Sequence, residues 1–248
     1  MENCIAIIGA MDEEVVALSA SLATGQQLPS PFSDLPLFSG TLENQHIVIA
    51  RCGIGKVNAA LATQYIIDKF NPTVIINTGV AGGLSSKLAI GDLVVGTSSM
   101  QHDFDVRNFN YPKGVIPRLA TSVFKPEDDL LDLAVQAAIE ELGSIRVHQG
   151  LIVSGDQFIS SQEQKQEILR FFPEAFCAEM EGAAIAQVAC VNGTDHLIVR
   201  AISDLADNTA PDDFDQYLLR IIPDLNQVIR KIVVSLKNSR FARPDATR

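Results

Sequence analysis

Apolar runs that stop abruptly at polar residues set the hydrophobic pattern of this chain. Leu197, Ile198, Val199, Ala201 and Ile202 are apolar at both faces of an extended segment, the signature of a central strand with parallel neighbours. That run ends at Ser203, Asp204 and Asp207. In open α/β sheets ligands bind outside the carboxyl ends of such strands, so these three residues are site candidates. Arg200 interrupts the run, and a guanidinium inside a buried strand requires an anionic partner.

Similar runs recur at Cys4–Gly9, at 73–84 and at 147–153, the last ending in Ser154-Gly155-Asp156. Leu37–Leu42 and His46–Ala50, on either side of Glu43-Asn44-Gln45, predict a hairpin, preceded by a polar loop from Gly25 to Pro36. The 75–84 stretch is predicted to run from strand into a glycine-rich turn around Gly79, Gly82 and Gly83, where backbone N–H groups could approach a ligand. Helices alternate with these strands. Helical periodicity is read at 12–18, 59–70, 127–142, 162–172 and 181–189, and in a final segment from Asp212 to Lys237 marked by Phe214, Leu218, Ile221, Leu225 and Ile229, with a kink expected at Pro223. The pattern predicts one α/β domain over 1–238, without repeats or linkers, and a frayed tail over 239–248.

Two helices carry a carboxylate on the wrong face for solvent. Met11, Glu14, Val15 and Leu18 share one stripe, so Glu14 points inward while Asp12 and Glu13 point to water. Glu181 shares a stripe with Ala184, Ile185 and Val188. A carboxylate on an apolar face at a crevice is explained by ligand hydroxyls or a buried cation. Phe158 and Ile159 lie just past the 147–153 run; Phe158 is either a stacking surface for a flat ring or a core aromatic.

Composition narrows the field. The formal net charge of -11 over 248 residues argues against nucleic acid or an anionic membrane as partner. Cys4, Cys52, Cys177 and Cys190 are scattered without a C-x-x-C pair, as expected for free thiols in a reducing cytosol. No apolar run reaches the roughly 20 residues of a membrane span, and no basic leader precedes the first strand. A soluble, untargeted chain is expected.

Two phosphate-binding readings fail on spacing. In Arg51-Cys52-Gly53-Ile54-Gly55-Lys56-Val57, Ala50 and Val57 stand where a Walker loop needs Gly and Ser or Thr. The glycines after Asn77 do not match G-x-G-x-x-G and return to strand, which disfavours a dinucleotide fold. Residues 101–126 form a long irregular segment carrying Phe109 and Tyr111, read as a lid or partner contact. His102 and Asp103 lack further ligands for a metal and read as a surface turn.

Six motifs taken together resemble the methylthioadenosine/S-adenosylhomocysteine nucleosidases of the nucleoside phosphorylase superfamily. They are Ile-Ile-Gly-Ala-Met-Asp-Glu-Glu-Val (7–15), Cys-Gly-Ile-Gly-Lys-Val (52–57), Ile-Ile-Asn-Thr-Gly-Val-Ala-Gly-Gly (75–83), Ser-Gly-Asp-Gln-Phe-Ile (154–159), Glu-Met-Glu (179–181) and Arg-Ala-Ile-Ser-Asp (200–204). The resemblance implies a mixed central sheet flanked by helices, a cytoplasmic homodimer, no cofactor, and hydrolysis of an N-glycosidic bond to adenine and a thioribose. It casts Asp204 as the acid at adenine N7, Glu14 as the group acting on water, and Glu181 as the ligand of the ribose hydroxyls. Met180 would underlie the sugar, Phe158 would stack on adenine, and the Ile159 backbone would read the base edge. Arg200 and Ser203 would support water and acid; Met11, Ile54, Val80, Glu179 and Phe214 would complete the pocket; Phe109 would reach the partner's site.

The chain departs from the family pattern at Val80, where members carry Ser in Thr-Gly-Ser-Ala-Gly-Gly. Phosphorolysis would require arginines around an anion, and the candidates Arg51, Arg107 and Arg200 do not cluster in sequence. A purine nucleoside phosphorylase, an aminodeoxyfutalosine nucleosidase and a non-catalytic nucleoside-binding module are the alternatives.

Overall fold

β1 (Cys4–Gly9) sits between two parallel neighbours, β4 (Gln45–Arg51) and β5 (Val74–Gly83), and is buried along its whole length. Its alternation sorts side chains between two helical layers. Ile5 and Ile7 face a core built with α1 (Asp12–Ala20), α3 (Asp128–Leu142) and α6 (Ala210–Leu236). Ala6 and Ile8 face a second core under α2 (Lys56–Phe70) and α5 (Gly182–Val191). Helices on both faces leave no wet side to the inner strands, which is why they read as unbroken apolar runs. The computed structural model describes residues 4–32, 35–237 and 239–242, and these form a single α/β domain.

β9 (Asp195–Asp204) runs parallel to β5 but antiparallel to β6 (Leu93–Gln101), so the expectation of parallel neighbours holds on one side only. β6 then pairs with β7 (Val147–Ser154), β7 with β8 (Ala175–Glu179), and β8 meets β5 again at Gly82 and Gly83. The pairings therefore close a ring through β5, β8, β7, β6 and β9, while β1, β4, β3 (Leu37–Leu42) and β2 (Ala23–Leu28) extend from it as an arm. Between β5 and β9 the register slips: Ala81 faces Ile202 but Gly82 faces Asp204, leaving Ser203 as an extra residue. A bulge at the rim of a sheet re-aims the side chains beside it.

The predicted hairpin forms between β3 and β4, with Glu43 and Asn44 both at positive φ (52° and 63°), as a two-residue hairpin turn requires. Two expectations are corrected. The start of the polar loop before it belongs to the edge strand β2, whose first five residues are exposed and show no apolar alternation. The glycine-rich turn is the last part of β5, because Gly82 and Gly83 still pair with β8. Of the expected tail, Arg240–Ala242 form a 310 turn and Phe241 is buried in the core, while 243–248 lie outside the described residues. Pro223 lies inside α6 on its exposed side, where water can satisfy the freed carbonyl, and the helix continues to Leu236. The 101–126 segment is irregular as expected, apart from a 310 turn at Arg107–Phe109 and a bridge between Ser99 and Phe124.

Candidate active site

The carboxyl ends of β1, β5, β7, β8 and β9 converge on an open cavity. Met11 and Glu14 enter it from the start of α1, Val80 from β5, and Ser203 and Asp204 from β9. Glu179, Met180 and Glu181 come from the turn between β8 and α5, Phe158 and Ile159 from the loop after β7. Ile54 and Phe214 close the rim. Two of the predicted site residues do not line it. Arg200 lies behind the wall, 1% exposed, and Phe109 stands outside, 75% exposed. Gly82 lines the cavity too, from the glycine-rich stretch expected near a ligand, as do Ala10, Ala81, Gln157 and Ala178, which were not foreseen; the alanines are small residues without chemical signal, and Gln157 sits inside the 154–159 motif.

Glu14 is held by the backbone. Its Oε2 accepts the N–H groups of Ala10 (2.6 Å) and Met11 (3.0 Å), the reach-back of an N3 glutamate to its helix start, and its Oε1 accepts that of Val80 (3.1 Å). Gly9 makes the turn into α1 possible, since a Cβ there would overlap Val15 and crowd Glu14. Burial raises the Glu14 pKa, against the opposing pull of Arg200 and the three N–H groups. Asp12 and Glu13 point to solvent as expected.

The partner Arg200 required is Glu179. Arg200 Nη2 donates to Glu179 Oε2 and to Asn77 Oδ1 (2.6 Å), and lies 3.8 Å from Glu181 Oε2. Glu179 Oε2 also accepts the N–H groups of Glu181 (3.0 Å) and Gly182 (2.7 Å), while its Oε1 accepts the Ser154 hydroxyl. Glu179 thus ties the start of α5 to β9 and β7, and fixes the turn from which Glu181 projects. Ser154 was legible only as the end of a strand motif; its oxygen accepts the Ala183 N–H at 2.7 Å.

Glu181 is the residue preceding α5 and accepts the Gly55 N–H at 2.8 Å. The next N–H, of Lys56, goes to Asp156 Oδ1 at 2.8 Å. The N–H groups that a phosphate loop would offer are therefore directed at two carboxylates of the chain itself. Burial, with Glu179 as a further like charge, pushes the Glu181 pKa up to about 7 against the pull of Arg200 and the Gly55 N–H.

Asp204 has a different setting. Oδ1 accepts the Ala206 N–H and Oδ2 the Ser203 hydroxyl, both at 2.8 Å. Burial raises its pKa; those two bonds oppose the shift, and Asp213 and Asp207 add to it. Gly82 lies directly under it, where a Cβ would come within 2.9 Å of Oδ1.

Phe158 meets Phe214 edge-on, centroids 5.8 Å apart, and remains 43% exposed at the cavity. The stacking surface is thus open, and the core reading of Phe158 does not describe it. His102 and Asp103 lie in a turn as expected, but His102 is buried and Asp103 pairs with Lys56 at 2.5 Å. Among the described residues no group of three His, Cys, Asp or Glu side chains is set to hold a metal, and no helix is long and apolar enough to cross a membrane. The candidate arginines each face a carboxylate: Arg51 with Asp12 at 3.0 Å, Arg107 with Asp105 at 2.7 Å, and Arg200 with Glu179.

A ring of strands opening on a cavity with paired carboxylates fits one broad class, and residues 4–234 match the Phosphorylase superfamily. The 5'-methylthioadenosine/S-adenosylhomocysteine nucleosidase of Shewanella loihica is 40% identical over 216 residues, 87% of this chain and 92% of its own. That of Halalkalibacterium halodurans is 41% identical over 214 residues, 86% and 90% of the two chains. The Neisseria meningitidis nucleosidase of the same name, in complex with methylthio-immucillin-A, superposes with a TM-score of 0.90 at 40% identity, covering 94% of this chain and all (100%) of that one. The chain belongs to the 5'-methylthioadenosine/S-adenosylhomocysteine nucleosidase family and is an N-glycosyl hydrolase. A futalosine hydrolase of Helicobacter pylori is also similar, with a TM-score of 0.85 and 33% identity over 93% of this chain and 97% of that one.

Proposed function

We propose that this enzyme hydrolyses 5'-methylthioadenosine and S-adenosylhomocysteine to adenine and the corresponding thioribose, in methionine salvage and removal of S-adenosylhomocysteine. The observation that carries the reading is the convergence of Glu14 and Asp204 on one cavity, both buried but with different neighbours. Burial raises the Glu14 pKa, but three N–H donors and the Arg200 charge work against that shift and favour the ionised form a base requires. Asp204 has burial and two further carboxylates favouring its protonated form, as an acid requires.

In this mechanism Asp204 gives its proton to adenine N7, the N9–C1' bond breaks with its electrons on the base, and C1' takes on positive charge. Glu14 removes a proton from water as the water oxygen bonds to C1'. Glu181 holds the ribose hydroxyls, and its anionic form stabilises the oxocarbenium-like sugar. Met180 underlies the sugar, Phe158 stacks on adenine, and the Ile159 backbone reads the base edge. Met11, Ile54, Val80, Glu179 and Phe214 shape the walls. Ser203 orients Asp204 by its hydrogen bond, and Arg200 acts through Glu179 and Glu181. The enzyme works without a cofactor, in the cytoplasm, as a homodimer in which the exposed Phe109 reaches the partner's site; its free cysteines suit that compartment.

Adenine release from methylthioadenosine in phosphate-free buffer is the test, run with phosphate added and with Asp204→Asn. Release without phosphate, abolished in the variant, supports the reading; strict phosphate dependence overturns it. A futalosine-type nucleoside is a second substrate class, favoured by the similarity to the Helicobacter pylori futalosine hydrolase, and belongs in the same assay.

A further inference from the structure

Lys165 lies near the start of α4 (Gln162–Phe171), yet its ammonium is directed inward to two backbone carbonyls from separate strands. Its Nζ donates to Gly83 O at 2.9 Å and to Leu205 O at 2.7 Å. Gly83 ends β5, and Leu205 follows Asp204 at the end of β9, so the two bonds span the strand pair just beyond the bulge. A lysine serving only solubility would leave its ammonium in water.

The Leu205 carbonyl belongs to the same peptide group as the Ala206 N–H, and that N–H donates to Asp204 Oδ1 at 2.8 Å. The peptide is planar and trans, so fixing its oxygen also fixes its N–H. Ala206 is fully buried with φ at 51°, a left-handed conformation that costs a residue with a Cβ on the order of 1 kcal/mol or more and persists only where its surroundings impose it. Lys165 holds the carbonyl of the peptide that leads into it.

We infer that Lys165 is a positioning residue for Asp204: its ammonium locks the Leu205–Ala206 peptide against the end of β5, and that peptide aims the Asp204 carboxyl into the cavity. The inference rests on Asp204 being the acid proposed above. The charged groups facing Asp204 are Lys165 from α4, Asp207 from its own turn and Asp213 from α6. Cationic contact at the carbonyl also strengthens the N–H as a donor to the Asp204 carboxylate.

The experiment compares wild type, Lys165→Met, Lys165→Arg and Asp204→Asn in adenine release from methylthioadenosine over about pH 5 to 9, with melting curves for each. Lys165→Met is expected to lower kcat about 10- to 100-fold and leave KM within about threefold. It should also move the alkaline limb of the kcat/KM profile to higher pH, because Asp204 loses a cation and a strong donor. Lys165→Arg should restore most of kcat and the wild-type profile. Lys165→Gln, with a neutral donor, takes the same test should the methionine variant not fold, and its profile should move in the same direction. Wild-type kcat, or a rate that falls only with the folded fraction while the profile stays in place, overturns the role of Lys165. A fully active Asp204→Asn would instead overturn the acid assignment itself; an inactive one beside a wild-type-like Lys165→Met removes Lys165 alone.

Discussion

Arg200 and Glu179 form an ion pair with side chains only 1% and 2% exposed, at the centre of the polar layer behind the cavity. The guanidinium also balances Glu181 and Glu14, which are buried within its field. Removing one partner of a buried pair strands the other, at a cost of about 3 to 5 kcal/mol. Arg200→Met should therefore lower the free energy of urea unfolding by that amount. The double variant with Glu179→Met should lose less than the sum of the two single variants, since the charge each leaves stranded is gone when both are replaced. A single variant within about 1 kcal/mol of wild type would refute this account of the pair.

Gly79 is required by the same layer. A methyl group there would overlap the Arg200 guanidinium and the Glu14 carboxylate, two groups fixed by other bonds. Gly79→Ala should displace Glu14 from the Val80 N–H and lower kcat at least about 100-fold, the scale of a misplacement near 1 Å. Steady-state kinetics on the folded variant checks this, and near-wild-type kcat would show that Glu14 can shift freely.

The fold was most legible where burial is two-sided. β1, β5 and β9 announce themselves as apolar runs because helices cover both faces, and Arg200 stood out for being charged inside one of them. The exposed edge strand β2 was invisible: of Ala-Thr-Gly-Gln-Gln-Leu only Leu28 is partly buried, and the segment is strand because β3 offers it hydrogen bonds. β8 is five residues long, too short for a period to be read. In the site, Glu14 and Glu181 were found as carboxylates on apolar faces, whereas Ser154, Asn77, Gly55 and Lys165 act through partners distant in sequence. No local pattern reports such a pairing.

Glu181 should make the stability of the enzyme fall as pH rises from about 4.5 to about 7. Its pKa is pushed from an ordinary 4.5 to about 7, first by burial and then by Glu179. The folded state consequently holds a proton that the unfolded chain releases between those values, so the unfolded state binds fewer protons and stability declines with pH. The penalty is absent below about pH 4.5, grows through the interval and is complete above about pH 7, reaching on the order of 3 kcal/mol. Glu181→Gln should flatten this slope, which urea unfolding at a series of pH values reads directly. Parallel slopes for wild type and variant would mean that Glu181 titrates normally.

Phe158 separates a binding surface from a core residue by what its loss costs. It is 43% exposed and touches Phe214 edge-on, so truncation removes one aromatic contact worth about 0.5 to 1.5 kcal/mol. A core phenylalanine would cost about 3 to 5 kcal/mol. Stacking on a base is worth about 1 to 3 kcal/mol, which corresponds to a KM for methylthioadenosine raised about 5- to 150-fold in Phe158→Ala. If the ring holds adenine equally in substrate and transition state, kcat stays near wild type while KM carries the loss. A fall in kcat at unchanged KM would instead mean that the ring acts on the departing base, for which its polarisable face beside the protonated adenine is suited. Measuring both constants together with the melting temperature of the variant therefore decides among packing, binding and leaving-group stabilisation, because each role moves a different one of the three.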